Sequence, residues 1–194
     1  MKKALLIVVL FLITLSCNMS DYSEELSGDY TFIHEGQDYN FIIGRNEIYA
    51  NVVDYKFDDN YIVVCQVPNR SMYLSNFAST LSGKYSTYYS YLKDSTTEKY
   101  YRSRNEILRD TVIPRIFKNR KISFQNTSED IQKQEEIADS IIQNDSFHVK
   151  VFSLKKVYWI IKVKSNNLIG PLSYAEYKQK KQEFNLSNDL LIQE

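Results

Sequence analysis

Residues whose types could do chemistry are few and scattered. His34 and His148 are the only imidazoles in 194 residues. A metal pair would need them to converge with a carboxylate, and no H-E-x-x-H or H-x-H spacing occurs. His34 shares a strand face with Tyr30 and Phe32, which predicts packing or a surface position. His148 stands near Asp145, within reach of a charge pair. The tightest acidic cluster is Asp54, Asp58 and Asp59. Such clusters can hold calcium, but there is no D-x-D-x-D-G loop. Asp58-Asp59-Asn60 instead reads as a turn, where short polar side chains bond their own backbone. Glu135, Glu136 and Asp139 recur at helical spacing and read as a solvated face. No G-x-S-x-G elbow or P-loop occurs, and five glycines leave little room for a phosphate cradle. A Ser-His-Asp triad is neither supported nor excluded by the spacing. The reading therefore assigns no catalytic residue, no metal and no cofactor.

The cysteines are more informative. Met1-Lys2-Lys3 is a positive n-region, and the apolar run Ala4 to Leu15 follows it. That run is well short of the roughly 20 residues that span a hydrocarbon core. Charge first, a short apolar run next and small residues last is the order of a secretory signal peptide. Thr14-Leu15-Ser16-Cys17 resembles a lipobox, the site where a bacterial lipoprotein signal peptidase cuts before a diacylated cysteine. Residues 1–17 are thus expected to be a signal peptide ending at Cys17, with lipid attached there. Cleavage after Ser16 by an ordinary signal peptidase, or an uncleaved anchor helix, also fits. Cys65 lies in the run Ile62-Val63-Val64-Cys65 and reads as a small buried hydrophobe. Two cysteines cannot build a disulfide scaffold or a four-thiolate zinc site.

The elements around these residues follow from composition and pattern. With 43% apolar and 14% aromatic residues, the chain can bury a proper core. Its 24 basic and 24 acidic side chains balance, which points away from nucleic acid. Residues 18–28 are polar and read as a tether; residues 29–194 read as a single α+β domain. Tyr30 to His34, Phe41 to Ile43 and Ile48 to Phe57 are extended, with Val53, Tyr55 and Phe57 on one face. Tyr61 to Val67 is apolar on both faces, a central strand that Pro68 ends. Short strands joined by tight turns make an antiparallel sheet.

A helical insertion over about 72–145 interrupts that sheet. Tyr85, Tyr88, Tyr89 and Leu92 form an amphipathic stripe. Ser95 opens a second helix that Pro114 closes, and Thr127 to Asp130 opens a third with Ile131, Ala138, Ile141 and Ile142 inward. Phe147 to Phe152 fits a helical turn or a strand. Val157 to Ile161 is the clearest strand, Gly170-Pro171 reads as a break, and Ser173-Tyr174-Ala175-Glu176 is a capping box opening a C-terminal helix.

In this order, three stretches resemble a domain-of-unknown-function family of small bacterial lipoproteins. They are Val53 to Ile62 with its Asp58-Asp59-Asn60-Tyr61-Ile62 strand motif, Tyr158-Trp159-Ile160-Ile161, and Gly170-Pro171-Leu172-Ser173-Tyr174-Ala175-Glu176-Tyr177. The likeness covers roughly residues 29–66 and 158–186. It implies an exported lipoprotein with a compact mixed domain and no assigned activity, and it supplies no catalytic residue.

The functional expectation is a lipid-anchored cell-envelope protein, facing the periplasm or exterior, that acts as a binding or structural module. An envelope hydrolase is the alternative. Sixteen tyrosines are the unusual feature of the composition. Tyrosine supplies stiff, amphipathic contact surface, so Tyr85, Tyr88 and Tyr89 either pack inward or form a surface for an envelope protein or ligand. The expected partners are the membrane, through Cys17, and such a protein or ligand, with no nucleic acid.

Overall fold

The computed structural model describes residues 21–36, 39–93 and 128–194, and side chains throughout except at 84–93. The described chain is α+β and divides into two compact units. One joins the residues up to Val67 with Lys156–Glu194; the other is Pro68–Lys155.

The first unit holds two antiparallel sheets where the sequence suggests one. Strands β1 (Tyr22–Glu25), β2 (Thr31–His34) and β3 (Asn40–Ile43) form a sheet in the order β1-β2-β3. Strands β4 (Val52–Phe57), β5 (Tyr61–Gln66), β6 (Val157–Lys162) and β7 (Asn167–Leu172) form the other in the order β4-β5-β6-β7. Four residues of the segment read as a tether are therefore strand β1, all of them exposed.

β5 and β6 are central because both carry apolar side chains on both faces. Ile62 to Cys65 and Val157 to Ile161 are all buried, and full burial of such an aliphatic side chain contributes roughly 1.5–3 kcal/mol. Cross-strand partners share a face, so the pairing of Cys65 with Tyr158 and of Val63 with Ile160 defines one side of the sheet. That side is covered by the C-terminal helix, α4 (Tyr174–Glu183), and the segment after it, through Tyr177, Leu186, Leu190 and Ile192. The pairing of Val64 with Trp159 and Ile62 with Ile161 defines the other side. There the three-stranded sheet approaches: Tyr55 packs on Phe32 at 4.5 Å between ring centroids. Asn46 donates to the Asn166 carbonyl at 2.8 Å and to the Tyr30 hydroxyl at 3.0 Å.

Two expectations within this unit are corrected. Gly170-Pro171 does not break the chain but lies inside β7. Tyr158 pairs with Leu172 and Ile160 with Ile169, so β7 carries one more residue than β6 over that span, a bulge opposite Trp159. The second concerns β4, where Val53 and Phe57 are exposed, at 48% and 40%, while Tyr55 is half-buried. A bulge between Val52 and Asp54 takes Val53 out of the alternation, while Tyr55 and Phe57, opposite Val64 and Ile62 on the edge strand, share a face.

Helix α4 begins as its sequence predicts. The Glu176 amide donates to Ser173 Oγ and the Ser173 amide to the Glu176 carboxylate, a reciprocal capping box. Leu172, just before the cap, and Tyr177 are both buried in one cluster. The Tyr177 hydroxyl donates to the Leu190 carbonyl at 3.0 Å and accepts from the Ile192 amide at 3.2 Å, which ties down the C-terminal segment.

The second unit is helical: α1 (Arg70–Lys93), α2 (Ser128–Asn144) and α3 (Ser146–Ser153). α1 starts well before the tyrosine stripe because Asn69 caps it, its side chain accepting from the Met72 amide. α1 and α2 pack through Ala78, Leu81, Ile137 and Ala138. Ile131, expected inward, is 48% exposed; the buried stripe of α2 is Asp130, Gln134, Ile137, Ala138 and Ile142. The ambiguous Phe147 to Phe152 is helix α3, because the Asp145 carboxylate accepts from the Phe147 and His148 amides. The expected helix from Ser95 to Pro114 lies outside the described residues.

Candidate functional site

His148 is buried in the helical unit. α3 presents it on the same face as Phe152, one turn on, while α1 presents Tyr73 and Phe77 with the same spacing. The ring stacks against Phe77 at 4.7 Å and edge-on to Tyr73 at 5.7 Å. Its Nδ1 lies 2.9 Å from the Tyr73 hydroxyl. Burial holds the imidazole below its ordinary pKa, opposed by the nearby Asp145 charge. The ring is thus neutral at pH 7 and able to accept the Tyr73 O–H. The Asp145 carboxylate caps α3 rather than hydrogen-bonding the imidazole. Arg70 closes the cluster, with its guanidinium over Phe152 at 5.4 Å and an ion pair to Asp139.

His34 belongs to the other unit. Its Nδ1 pairs with the Asn40 side chain across β2 and β3, and its ring lies 5.0 Å from Tyr22. Among the described residues, neither histidine ring is hydrogen-bonded to a serine or a carboxylate. Nor do the described residues bring together three His, Cys, Asp or Glu side chains able to hold a metal. Asp58 accepts from the Asn60 and Tyr61 amides, both at 2.8 Å, and closes the β4–β5 turn.

Cys65 is free and buried, as its apolar neighbours imply. Burial pushes its thiol up, with the Tyr158 hydroxyl and the Lys156 charge pulling the other way. The Tyr158 hydroxyl is itself buried beside the thiol, without an oxygen or nitrogen partner among the described residues. A high-pKa thiol in such a place is inert. Trp159 shows how the opposite side of the sheet satisfies its polar atoms. Its indole N–H donates to Gln66 Oε1 at 2.9 Å, and Gln66 Nε2 donates to the Tyr49 carbonyl at 2.8 Å.

The residues proposed for function stand apart from these. Tyr85, Tyr88 and Tyr89 are all on α1, but their side chains lie outside the described ones. Cys17 also lies outside the described residues. No described helix is long and apolar enough to cross a membrane. Among the described residues a shallow cleft of about 440 Å³ runs along the edge of the four-stranded sheet, lined by Glu24 and Val53 to Phe57. Tyr55 in it donates to the Glu24 carboxylate, and burial followed by that bond drives its pKa upward. Sequence reading did not single out Tyr73 or Gln66. The Tyr73/Phe77 and His148/Phe152 spacings carried a signal for the first; nothing local marked the second.

Among the described residues the protein is thus of the α+β class, with both histidines and the buried cysteine engaged in packing or hydrogen bonds. Residues 131–194, the C-terminal third of the chain, match a family described as protein of unknown function (DUF3997). This match takes in α2, α3, β6, β7 and α4, and so two of the three stretches that suggested a domain of unknown function. No curated protein and no solved structure matches the chain.

Proposed function

We propose that the protein is a lipid-anchored cell-envelope protein, held to a membrane through Cys17 and acting as a binding or structural module without catalysis. The observation that carries the anchoring is the order Lys2-Lys3, apolar run, Ser16-Cys17. What favours a non-catalytic role is the use made of the reactive side chains. His148 is taken up by Tyr73, His34 by Asn40, and Cys65 by burial in the sheet. The tyrosines of α1 would supply contact area for an envelope protein or ligand. A single anchored chain binds membranes only marginally, so diacylation of one cysteine supplies the hold that one acyl chain does not.

The test is expression of the full chain in a bacterium supplied with radiolabelled palmitate. The wild-type protein should take up label and sediment with membranes, and Cys17→Ser should lose both. Unlabelled wild-type protein in the soluble envelope fraction would mean simple export. A Cys17→Ser protein that still sediments with membranes would overturn the anchoring.

A further inference from the structure

The outer edge of β4 is laid out so that it fits a second copy of itself. Asp58 and Tyr61 are joined at the hairpin end, the Asp58 amide donating to the Tyr61 carbonyl at 2.9 Å. Alternation along an antiparallel pair then turns the backbone groups of Lys56 and Asp54 toward β5 and those of Phe57 and Tyr55 outward. Among the described residues no strand pairs with that outward side. An open edge is a ready template for another strand.

The side chains select which strand. In an antiparallel pair centred on Tyr55, residue numbers on the two strands add to a constant. Tyr55 then faces Tyr55, Asp54 faces Lys56 and Lys56 faces Asp54, while Val53, next in line opposite Phe57, lies in the bulge where the regular register ends. Both exposed charges meet their opposite. The backbone agrees, since Tyr55 presents both its N–H and its C=O at the centre, as a hydrogen-bonded pair requires. Other registers fail. Centring on Lys56 sets lysine against lysine, and centring on Phe57 runs the pair into the turn where Asp58 is already committed. A twofold contact of this kind is closed and limits itself to two chains.

We propose that this protein forms a dimer through antiparallel β4–β4 pairing about a twofold axis at Tyr55. The bulge at Val53 confines the pairing to a short stretch, so the dimer is a reversible one. Salt weakens it, because the two Asp54–Lys56 contacts are solvent-exposed.

Sedimentation equilibrium of the full chain in detergent solution, across a range of concentrations, tests this. A monomer–dimer equilibrium is expected. Asp54→Lys alone, or Lys56→Asp alone, places like charges opposite each other twice per dimer and should raise the dissociation constant about tenfold. The double exchange, Asp54→Lys with Lys56→Asp, restores opposite charges and should recover the wild-type constant. Amide exchange on the wild-type chain gives a second readout that needs no variant: the Tyr55 amide should become protected as concentration rises. A chain that stays monomeric throughout overturns the proposal. So does a dimer indifferent to the single reversals, one not recovered by the double exchange, or one that leaves the Tyr55 amide unprotected.

Discussion

Placing a methyl group on Gly170 tests how the large sheet is closed against its only tryptophan. Gly170 has φ +146°, a region that side chains rarely adopt, and a Cβ there would lie 2.4 Å from Trp159 Cε3 and 3.0 Å from the Tyr158 carbonyl oxygen. Ordinary carbon contacts lie near 3.5–4.0 Å, so something must move by about 1 Å. The indole cannot swing away freely, being 3% exposed and tied to Gln66. Forcing the backbone region costs roughly 1–3 kcal/mol, and overpacking a filled core costs roughly 1–3 kcal/mol. Gly170→Ala should therefore destabilise the protein by about 2–4 kcal/mol in urea unfolding, allowing for partial relief when strand β7 shifts. The two causes separate in a double-mutant cycle. With Trp159→Leu as background the clash with the indole is gone, and the backbone cost and the contact with the Tyr158 carbonyl remain. Gly170→Ala should then cost at least about 1 kcal/mol less than it does opposite tryptophan. A loss under about 0.5 kcal/mol in the wild type, or an equal loss in both backgrounds, would refute close packing of Trp159 over Gly170.

Three further outcomes follow from the cited geometry. Ser173→Ala should lower stability by about 0.5–2 kcal/mol, and Ser173→Asp should retain most of it, since the carboxylate can also cap; equal loss in both would place the helix start elsewhere. His148 resists protonation in the folded state, so the unfolded chain binds a proton first as pH falls below about 6.5, and stability should drop through that window more steeply than in His148→Asn. Identical pH profiles for the two proteins would mean that the ring is solvated. Cys65, raised in pKa and buried, should react with a thiol reagent only at the rate of unfolding, and prompt labelling in the native state would contradict its placement.

How far the fold was legible depends on the kind of signal each element carries. β5 and β6 were plain, because a strand covered on both faces must be a continuous apolar run. The Ser173 cap and the Asp58 turn were plain because each is a local hydrogen bond set by residues three apart or fewer. β1 was not, since Tyr22 to Glu25 are all exposed and carry no burial pattern; only pairing with β2 makes them a strand. Gly170-Pro171 misled because the bulge that accommodates proline depends on the neighbouring strand. The stripe of α2 was legible at Ala138 and Ile142 but not at its start, where Asp130 and Gln134, polar but buried, take the place expected of Ile131. The division of the strands into two sheets, and the contact of Trp159 with Gln66 across 93 positions, are settled by register alone. The candidate site was legible only as motif: Cys17 and the α1 tyrosines are named by type and spacing, with no packing partner predicted for either.

The two edges of the four-stranded sheet show why β4, rather than β7, is left to associate. β7 has Pro171, which offers no N–H, and an extra residue in its middle, so its outer side cannot present an even row of donors and acceptors. β4 also carries a bulge, but near its start, and from Asp54 to Phe57 its register with β5 is regular. Lys56 on that stretch discourages a foreign strand, as an edge lysine generally does. Asp54 two residues before it lifts the discouragement for one partner only, a strand that brings a lysine to the same place in antiparallel register. A second copy of this chain does so by symmetry. If Cys17 also holds each chain to a membrane, the copies share a surface, and the local concentration this creates favours a contact too small to persist between free chains.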